Sequence, residues 1–203
     1  MSESSPRRPW FVIAALLGAL LLGAGGWLDG CSTITFYREP VDTSFEKMED
    51  KAAREQAKKA AERYVTAVDA ARPRAFPLGA ATFVLGAAVV ALVVRAFAGQ
   101  SGARSALVQV LSVQAGIAIL AFLLTKDIRE AQITFFTEIS RLTPSGRGPG
   151  GPNPLEGASL STFLRVAAPV WLALRSAFSG LLVFALTRPR AVASFEAAAV
   201  SER

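Results

Sequence analysis

Long apolar blocks separated by charged stretches dominate the chain. Four blocks are long enough to cross a bilayer, whose hydrocarbon core of about 30 Å takes about 20 residues of helix. They cover residues 10–28, 75–97, 105–125 and 159–187, the last with its membrane part at about 166–187. Because a backbone inside lipid must satisfy its own hydrogen bonds, each block is predicted to be a helix. The predicted fold class is therefore all-α, an integral membrane protein of four helices.

The first connection, residues 29–74, contains a strong helix signal. Thr43 and Glu46 have the spacing of a capping box, and no glycine or proline occurs between this box and Pro73. A helix over residues 44–72, ended by Pro73, is therefore predicted. Its apolar positions recur at steps of three and four, as in a coiled-coil seam. They are Ala53, Ala57, Ala60, Tyr64, Val68 and Ala71. The chain is thus expected to carry an extramembrane helical, coiled-coil-like subdomain.

A second amphipathic segment, residues 126–142, follows the third block. Its apolar positions also recur every three or four residues, which predicts a helical extension of the third span. They are Ile128, Ala131, Phe135, Ile139 and Leu142. Residues 132–137 are β-prone, so a strand is the alternative there. With four spans, both amphipathic segments lie on the same side of the membrane. We therefore expect them to pack on each other near Tyr64 and Phe135.

The remaining segments are short. They are an N-terminal tail (1–9), a loop (98–104), a linker rich in proline and glycine (143–158) and a C-terminal tail (188–203). The linker composition cannot bury a core.

Basic residues at the chain start indicate the orientation. Arg7 and Arg8 precede the first block, and the next basic residue after that block is Arg38. The rule that cytoplasmic loops are positive therefore predicts cytoplasmic N and C termini, in a bacterial inner or plasma membrane. Basic residues in the first and third connections leave the count over all loops close to balanced.

Composition narrows the chemistry. Apolar residues make up 52% of the chain, the net charge is +6, histidine is absent and there is one cysteine. The commonest general base and transition-metal ligand is therefore missing, and no cysteine cluster can bind zinc. The basic residues flank apolar blocks or alternate with acids, as expected for membrane topology rather than nucleic-acid binding. We expect no enzyme activity, no cofactor, no metal and no nucleic-acid partner.

Arg175 is the residue whose insertion into the membrane costs most free energy, because it is a charged residue near the middle of the fourth block. A central arginine costs about 2.5–3.5 kcal/mol on insertion. No acidic residue lies within a block, so Gln109 and Gln114 of the third block are its expected polar partners. The functional interpretation is contact with an anion, a lipid head group or a substrate in a polar cavity. The structural interpretation is helix–helix hydrogen bonding or snorkelling toward the interface.

The third block also places small and polar residues on one helical face. Ser105, Gln109, Ser112 and Gly116 recur at steps of four, three and four. This face predicts either a pore lining or close helix packing with hydrogen bonds across the contact. Together, Arg175, Gln109, Gln114 and Ser112 form the candidate intramembrane polar site.

Cys31 is a candidate for lipidation. The run from Leu28 to Cys31 resembles a bacterial lipobox, although Asp29 departs from the small or apolar residue usual there. The alternative is a free cysteine at a helix end. The apolar run of the first block exceeds the length usual in a cleaved signal peptide, which favours a retained anchor.

These features favour a non-enzymatic accessory or interaction protein of the membrane, acting by homo-oligomerisation or by binding another membrane component. The alternative is a small transporter or channel subunit that uses Arg175 and the polar face of the third helix.

Overall fold

The computed structural model describes residues 9–39, 50–100, 102–142 and 158–201. Within these ranges the chain forms helices and no strand. The helices are α1 Trp10–Arg38, α2 Lys51–Phe97, α3 Ala103–Leu124, α4 Lys126–Leu142, α5 Ala158–Thr187 and α6 Pro189–Ser201. The predicted all-α fold class is confirmed.

Four of these helices, α1, α2, α3 and α5, are long and apolar enough to cross a membrane. Their outer faces expose large apolar side chains, including Leu21, Val84, Leu123 and Trp171, each more than half exposed. On a soluble protein such a surface would promote aggregation, whereas lipid tails cover it without cost. The chain is therefore a multi-pass helical membrane protein.

One core cluster lies where α2 turns into α3, which we call the loop end. It joins Val12 near the start of α1, Val93 near the end of α2, Leu107 near the start of α3 and Leu186 at the end of α5. Starts and ends of successive spans meet here, so successive spans run antiparallel.

A second core cluster lies at the opposite end, which we call the projecting end because α2 and α4 continue there beyond the apolar blocks. It joins Tyr37 of α1 with Tyr64 and Val68 of α2 and Ile128 of α4. Phe135 of α4 packs against it.

Helices α1 and α2 cross with their backbones nearly in contact. A β-carbon added at Gly30 would overlap the amide nitrogen of Phe83, and one at Gly86 would overlap that of Trp27. Only glycine permits this approach at either position, and small residues are the usual means of close packing between membrane helices.

The first helix does not end with the first apolar block at residue 28. α1 continues to Arg38, so the first ten residues of the predicted loop 29–74 are helical. The continuation has no proline, and Tyr37 at its end is buried against Tyr64 of α2 and its neighbours. This packing holds the extra turns in place.

Pro73 does not end a helix either, and the predicted boundary between helix 44–72 and the second span is wrong. α2 runs from Lys51 to Phe97 and contains both Pro73 and Pro77. An interior proline costs about 3 kcal/mol. Both prolines lie on the exposed face, while Ala71 and Ala75 on either side of Pro73 are buried in the second core cluster. Packing across the proline site therefore keeps the two halves in one helix.

α2 begins at Lys51 rather than at residue 44, and a different residue caps it. Asp50 is the N-cap, and its carboxylate accepts a hydrogen bond of 2.9 Å from the amide of Ala52. The predicted capping box of Thr43 and Glu46 lies outside the described residues.

α4 covers the predicted amphipathic segment, and the strand alternative for residues 132–137 is wrong. The rings of Tyr64 and Phe135 stack with centroids 5.0 Å apart and an interplanar angle of 10°. The predicted packing of the two amphipathic segments is therefore confirmed. The coiled-coil character of the seam stays a prediction.

The segment predicted as a C-terminal tail forms α6. Its Ala191 and Phe195, one helical turn apart, are buried in the cluster at the loop end. Pro189 occupies the first helical position, where its missing amide hydrogen has no cost. The predicted N-terminal tail up to residue 8, with Arg7 and Arg8, and nearly all of the predicted linker 143–158 lie outside the described residues.

Candidate functional site

Arg175 of α5 forms an ion pair with Asp29 of α1. Its Nη1 group donates to Asp29 Oδ2 at 3.2 Å. The Arg175 side chain is 17% exposed and that of Asp29 is 57% exposed. The guanidinium is thus turned into the bundle, as expected. The carboxylate of Asp29, which lies toward the projecting end, balances its charge.

The acidic partner was not anticipated from the sequence. Asp29 follows the last residue of the first apolar block and belongs to the predicted loop 29–74. Because α1 continues unbroken past this point, Asp29 stays on a helix beside α5. The absence of any helix breaker between Leu28 and Arg38 other than Gly30 was the signal that pointed to this continuation.

Gln114 of α3 adjoins the guanidinium, as one of the two expected partners. It is 5% exposed, and among the described residues both its Nε2 and Arg175 Nη2 are buried without a hydrogen-bond partner. A β-carbon built on Gly26 would overlap Gln114 Nε2 and lie 3.3 Å from Arg175 Nη2, so the two groups meet across this glycine.

The other two residues of the predicted site lie elsewhere. Gln109 and Ser112 are exposed on the outward face of α3, away from the buried side of Gln114. Ser112 Oγ donates back to the carbonyl of Val108 at 2.9 Å. The structure therefore separates the polar face of α3 from Arg175, and the four residues do not form one site.

The predicted small-residue face of α3 packs on no other described helix. Ser105, Gln109, Ser112 and Gly116 are all exposed, and a β-carbon at Gly116 would meet nothing within 4 Å. Within the described part of the chain, this face therefore makes no contact with another helix.

Cys31 lies inside α1 rather than at a helix end, and its thiol is free and exposed. Nothing in its surroundings bears on lipidation.

Two cavities adjoin the ion pair. One, of about 620 Å³, lies at the projecting end between α1, α2, α3 and α4 and is lined by Asp29, Tyr37, Tyr64 and Arg129 among others. The second, of about 650 Å³, lies between α1 and α5 and is lined mainly by apolar side chains. Asp29 borders both cavities, whereas Arg175 borders only the second.

Arg129, in the first turn of α4, is the second arginine with a defined environment. Its Nη1 donates to the carbonyl of Phe122 and to Thr125 Oγ1, the latter at 3.2 Å. Its guanidinium carbon lies 3.6 Å from the centroid of the Phe122 ring. Burial lowers the pKa of the Arg129 guanidinium from its ordinary value, and the neighbouring Glu130 carboxylate opposes this effect.

Sequence reasoning missed this arginine because its position depends on the break between α3 and α4 at Thr125. It follows one turn after that residue, whose backbone leaves the helical conformation.

Comparison of the chain with protein families, with curated proteins and with solved structures finds no match.

Proposed function

We propose that this chain is a non-enzymatic membrane interaction protein that self-associates through the outward face of α3. The observation that carries the proposal is the exposure of the polar Gln109 side chain on a span whose large exposed side chains, such as Val113 and Leu123, are apolar. Among the described residues its amide has no hydrogen-bond partner. It lies about 9 Å along a helix about 33 Å long, within the hydrocarbon region. A polar side chain there favours contact with another helix over contact with lipid.

A second copy of the chain is the occupant that this face fits. A glutamine amide carries both donors and an acceptor, so two Gln109 side chains can pair across a two-fold axis. Ser112 and Gly116 follow at one and two turns, and neither has a large side chain to keep a second backbone away. The absence of histidine supports the non-enzymatic part of the proposal.

Disulfide cross-linking in membranes tests the interface. In a Cys31→Ser background, Gln109→Cys and Ser112→Cys should form covalent dimers, because the two helices must approach to about 6 Å between α-carbons. Leu17→Cys is the matched control, since Leu17 is an exposed residue of α1 at a similar distance from the loop end. Cross-linking at Leu17 as strong as at Gln109, or none at either α3 position, would overturn the proposal.

Removing the amide measures its contribution. Gln109→Leu should weaken dimerisation by about 0.6–2 kcal/mol, a factor of about 3 to 30 in the dissociation constant. The dissociation constant is measured by energy transfer between labelled chains diluted in vesicles. An unchanged constant would remove Gln109 from the interface.

A transport or channel role is the second candidate. It is favoured by the position of Asp29, which borders both cavities and forms the ion pair with Arg175 in the wall of the second. If opening this ion pair joins the cavities, Asp29→Ala should speed the reaction of Leu22→Cys, in the second cavity, with a charged thiol reagent. Leu181→Cys, exposed on the outer face of α5, is the control in the same Cys31→Ser background. Equal rates with and without Asp29→Ala would argue against this role.

A further inference from the structure

The cavity at the projecting end has the position, the lining and the volume of a binding site. It lies where α1, α2 and α3 leave their apolar blocks, and its walls combine apolar side chains such as Phe36 and Leu78 with polar ones. Its volume of about 620 Å³ is within the range of small-molecule sites.

The charges around this cavity leave one cation without a counterion. Asp29 is paired with Arg175. The acid next to Arg129, Glu130, lies 3.9 Å from Lys126. Arg129 has no ion pair among the described residues, so its positive charge at the cavity is left without a paired carboxylate.

The donors of Arg129 are partly free. Only Nη1 is used, by Phe122 and Thr125, while Nε and Nη2 have no partner within the described part of the chain. Nε and Nη2 form the side edge of the guanidinium, which binds two oxygens of one anion. The Phe122 ring below the guanidinium holds its plane, so little conformational freedom remains to be lost on binding.

Further donors border the same space. Tyr37, Tyr64 and Gln132 line the cavity, and among the described residues neither the two hydroxyls nor the amide has a hydrogen-bond partner. A carboxylate and a phosphodiester each present two charged oxygens that accept several hydrogen bonds, so either anion suits the Arg129 edge and these further donors. The apolar side chains of Phe36 and Leu78 in the same wall favour the phosphodiester, because in a phospholipid that group carries long carbon chains.

We propose that this cavity binds a phosphodiester monoanion, with Arg129 as its principal contact and the hydroxyls of Tyr37 and Tyr64 as further donors. The apolar wall beside Phe36 and Leu78 takes the carbon chains that such a group carries in a phospholipid. The site is independent of the α3 interface, which lies on the outward face of another part of the bundle.

Native mass spectrometry of the full chain, titrated with phosphatidylglycerol or with phosphatidylcholine, tests the proposal. Wild type should retain phosphatidylglycerol in preference to phosphatidylcholine, whose head group carries its own cation. Arg129→Gln should weaken retention of phosphatidylglycerol by about tenfold or more and abolish the preference. Arg129→Lys should recover part of the loss, because an ammonium lacks the two-pronged edge.

Two further variants separate binding from folding and from bulk charge. Arg72→Gln removes one positive charge from an exposed site on α2, outside the cavity, and should change retention by less than about twofold. Ser32→Trp fills the cavity from an exposed position while keeping Arg129, and should abolish retention. Equal losses for Arg129→Gln and Arg72→Gln, unchanged retention in Ser32→Trp, or no preference in wild type would each overturn the proposal.

Competition with the deacylated head group, glycerophosphoglycerol, shows whether the site recognises the whole lipid or the phosphodiester alone. If it displaces the lipid in an Arg129-dependent way, the oxyanion alone is recognised and soluble phosphodiesters qualify as ligands. If the lipid stays bound, the carbon chains are part of what the site recognises. Both results support the assignment of Arg129.

Discussion

The membrane part and the projecting end of α2 pack in opposite ways. Near Gly30 and Gly86 the α1–α2 contact depends on the absence of side chains, whereas Tyr64 meets Phe135 of α4 through large rings. Lipid tails are as apolar as the helix surfaces, so burying apolar area stabilises a contact between membrane helices only a little. Close approach of the two backbones stabilises it more. The projecting end carries charged residues along α2 and α4, as expected of a segment in water, where burying a ring is favourable. Adding side-chain atoms should therefore destabilise the α1–α2 contact, and removing them should destabilise the α2–α4 contact.

The largest effect is expected from an addition in the membrane part. Gly86→Leu should destabilise the bundle by about 3 kcal/mol or more, because the new side chain meets the α1 backbone, which cannot turn away. Unfolding in mixed micelles measures this change. Gly25→Leu is the matched control, since a β-carbon at Gly25 meets nothing within 4 Å. Similar losses in both variants would contradict the role of the crossing.

A deletion at the projecting end should have the next largest effect. Tyr64→Ala removes a ring that is 6% exposed and should destabilise the α2–α4 contact by about 2–3 kcal/mol. Hydrogen exchange at the α4 amides reports this contact directly. Tyr64→Phe keeps the ring and should leave exchange nearly unchanged. If both variants exchange alike, ring packing does not hold α4.

The ion pair between the two regions should respond unequally to removal of its partners. Asp29→Ala leaves a largely buried guanidinium without its acid and should destabilise the protein by about 1–3 kcal/mol. Arg175→Leu leaves only an exposed carboxylate and removes an arginine from the membrane, so stability should be unchanged or higher. Unfolding in mixed micelles compares the two variants. A larger loss in Arg175→Leu would show that the arginine makes contacts beyond this pair.

The smallest effect is expected from the exposed ion pair at the projecting end. Arg74 Nη2 lies 2.8 Å from Asp127 Oδ2, but the two side chains are 43% and 72% exposed. A double-mutant cycle with Arg74→Gln and Asp127→Asn should give a coupling energy between 0 and about 1 kcal/mol. A larger coupling would mean that charge, rather than the stacked rings, joins α2 to α4.

The sequence predicted the features that follow from composition over a long window. The apolar blocks are spans because their length and hydropathy leave few alternatives, and the stripes through Tyr64 and Phe135 predicted the contact that these rings make. Features decided by tertiary packing were predicted wrongly. Pro73 breaks a helix by the local rule, but burial of Ala71 and Ala75 on either side keeps α2 continuous.

The candidate site was predicted in part for the same reason. Arg175 stood out because a charge inside an apolar block is costly, and Gln114 was one of two possible neighbours. Asp29 lies just outside its block and Arg129 just beyond Thr125, so each gains its role only through the course of its helix. Gln109 and Gln114 look equivalent in the sequence, but five positions on a helix put them about 140° apart.

The continuity of α2 also gives the molecule a mechanical property. From Lys51 to Pro73 the helix rises about 33 Å, so a tilt of about 10° at the membrane displaces its first turn by about 6 Å. Pro73 and Pro77 each remove one backbone hydrogen bond, which makes this stretch the point of least resistance to bending. α2 is in this sense a lever with a flexible pivot at the start of its apolar block, and the stacking of Tyr64 on Phe135 holds its long arm against α4.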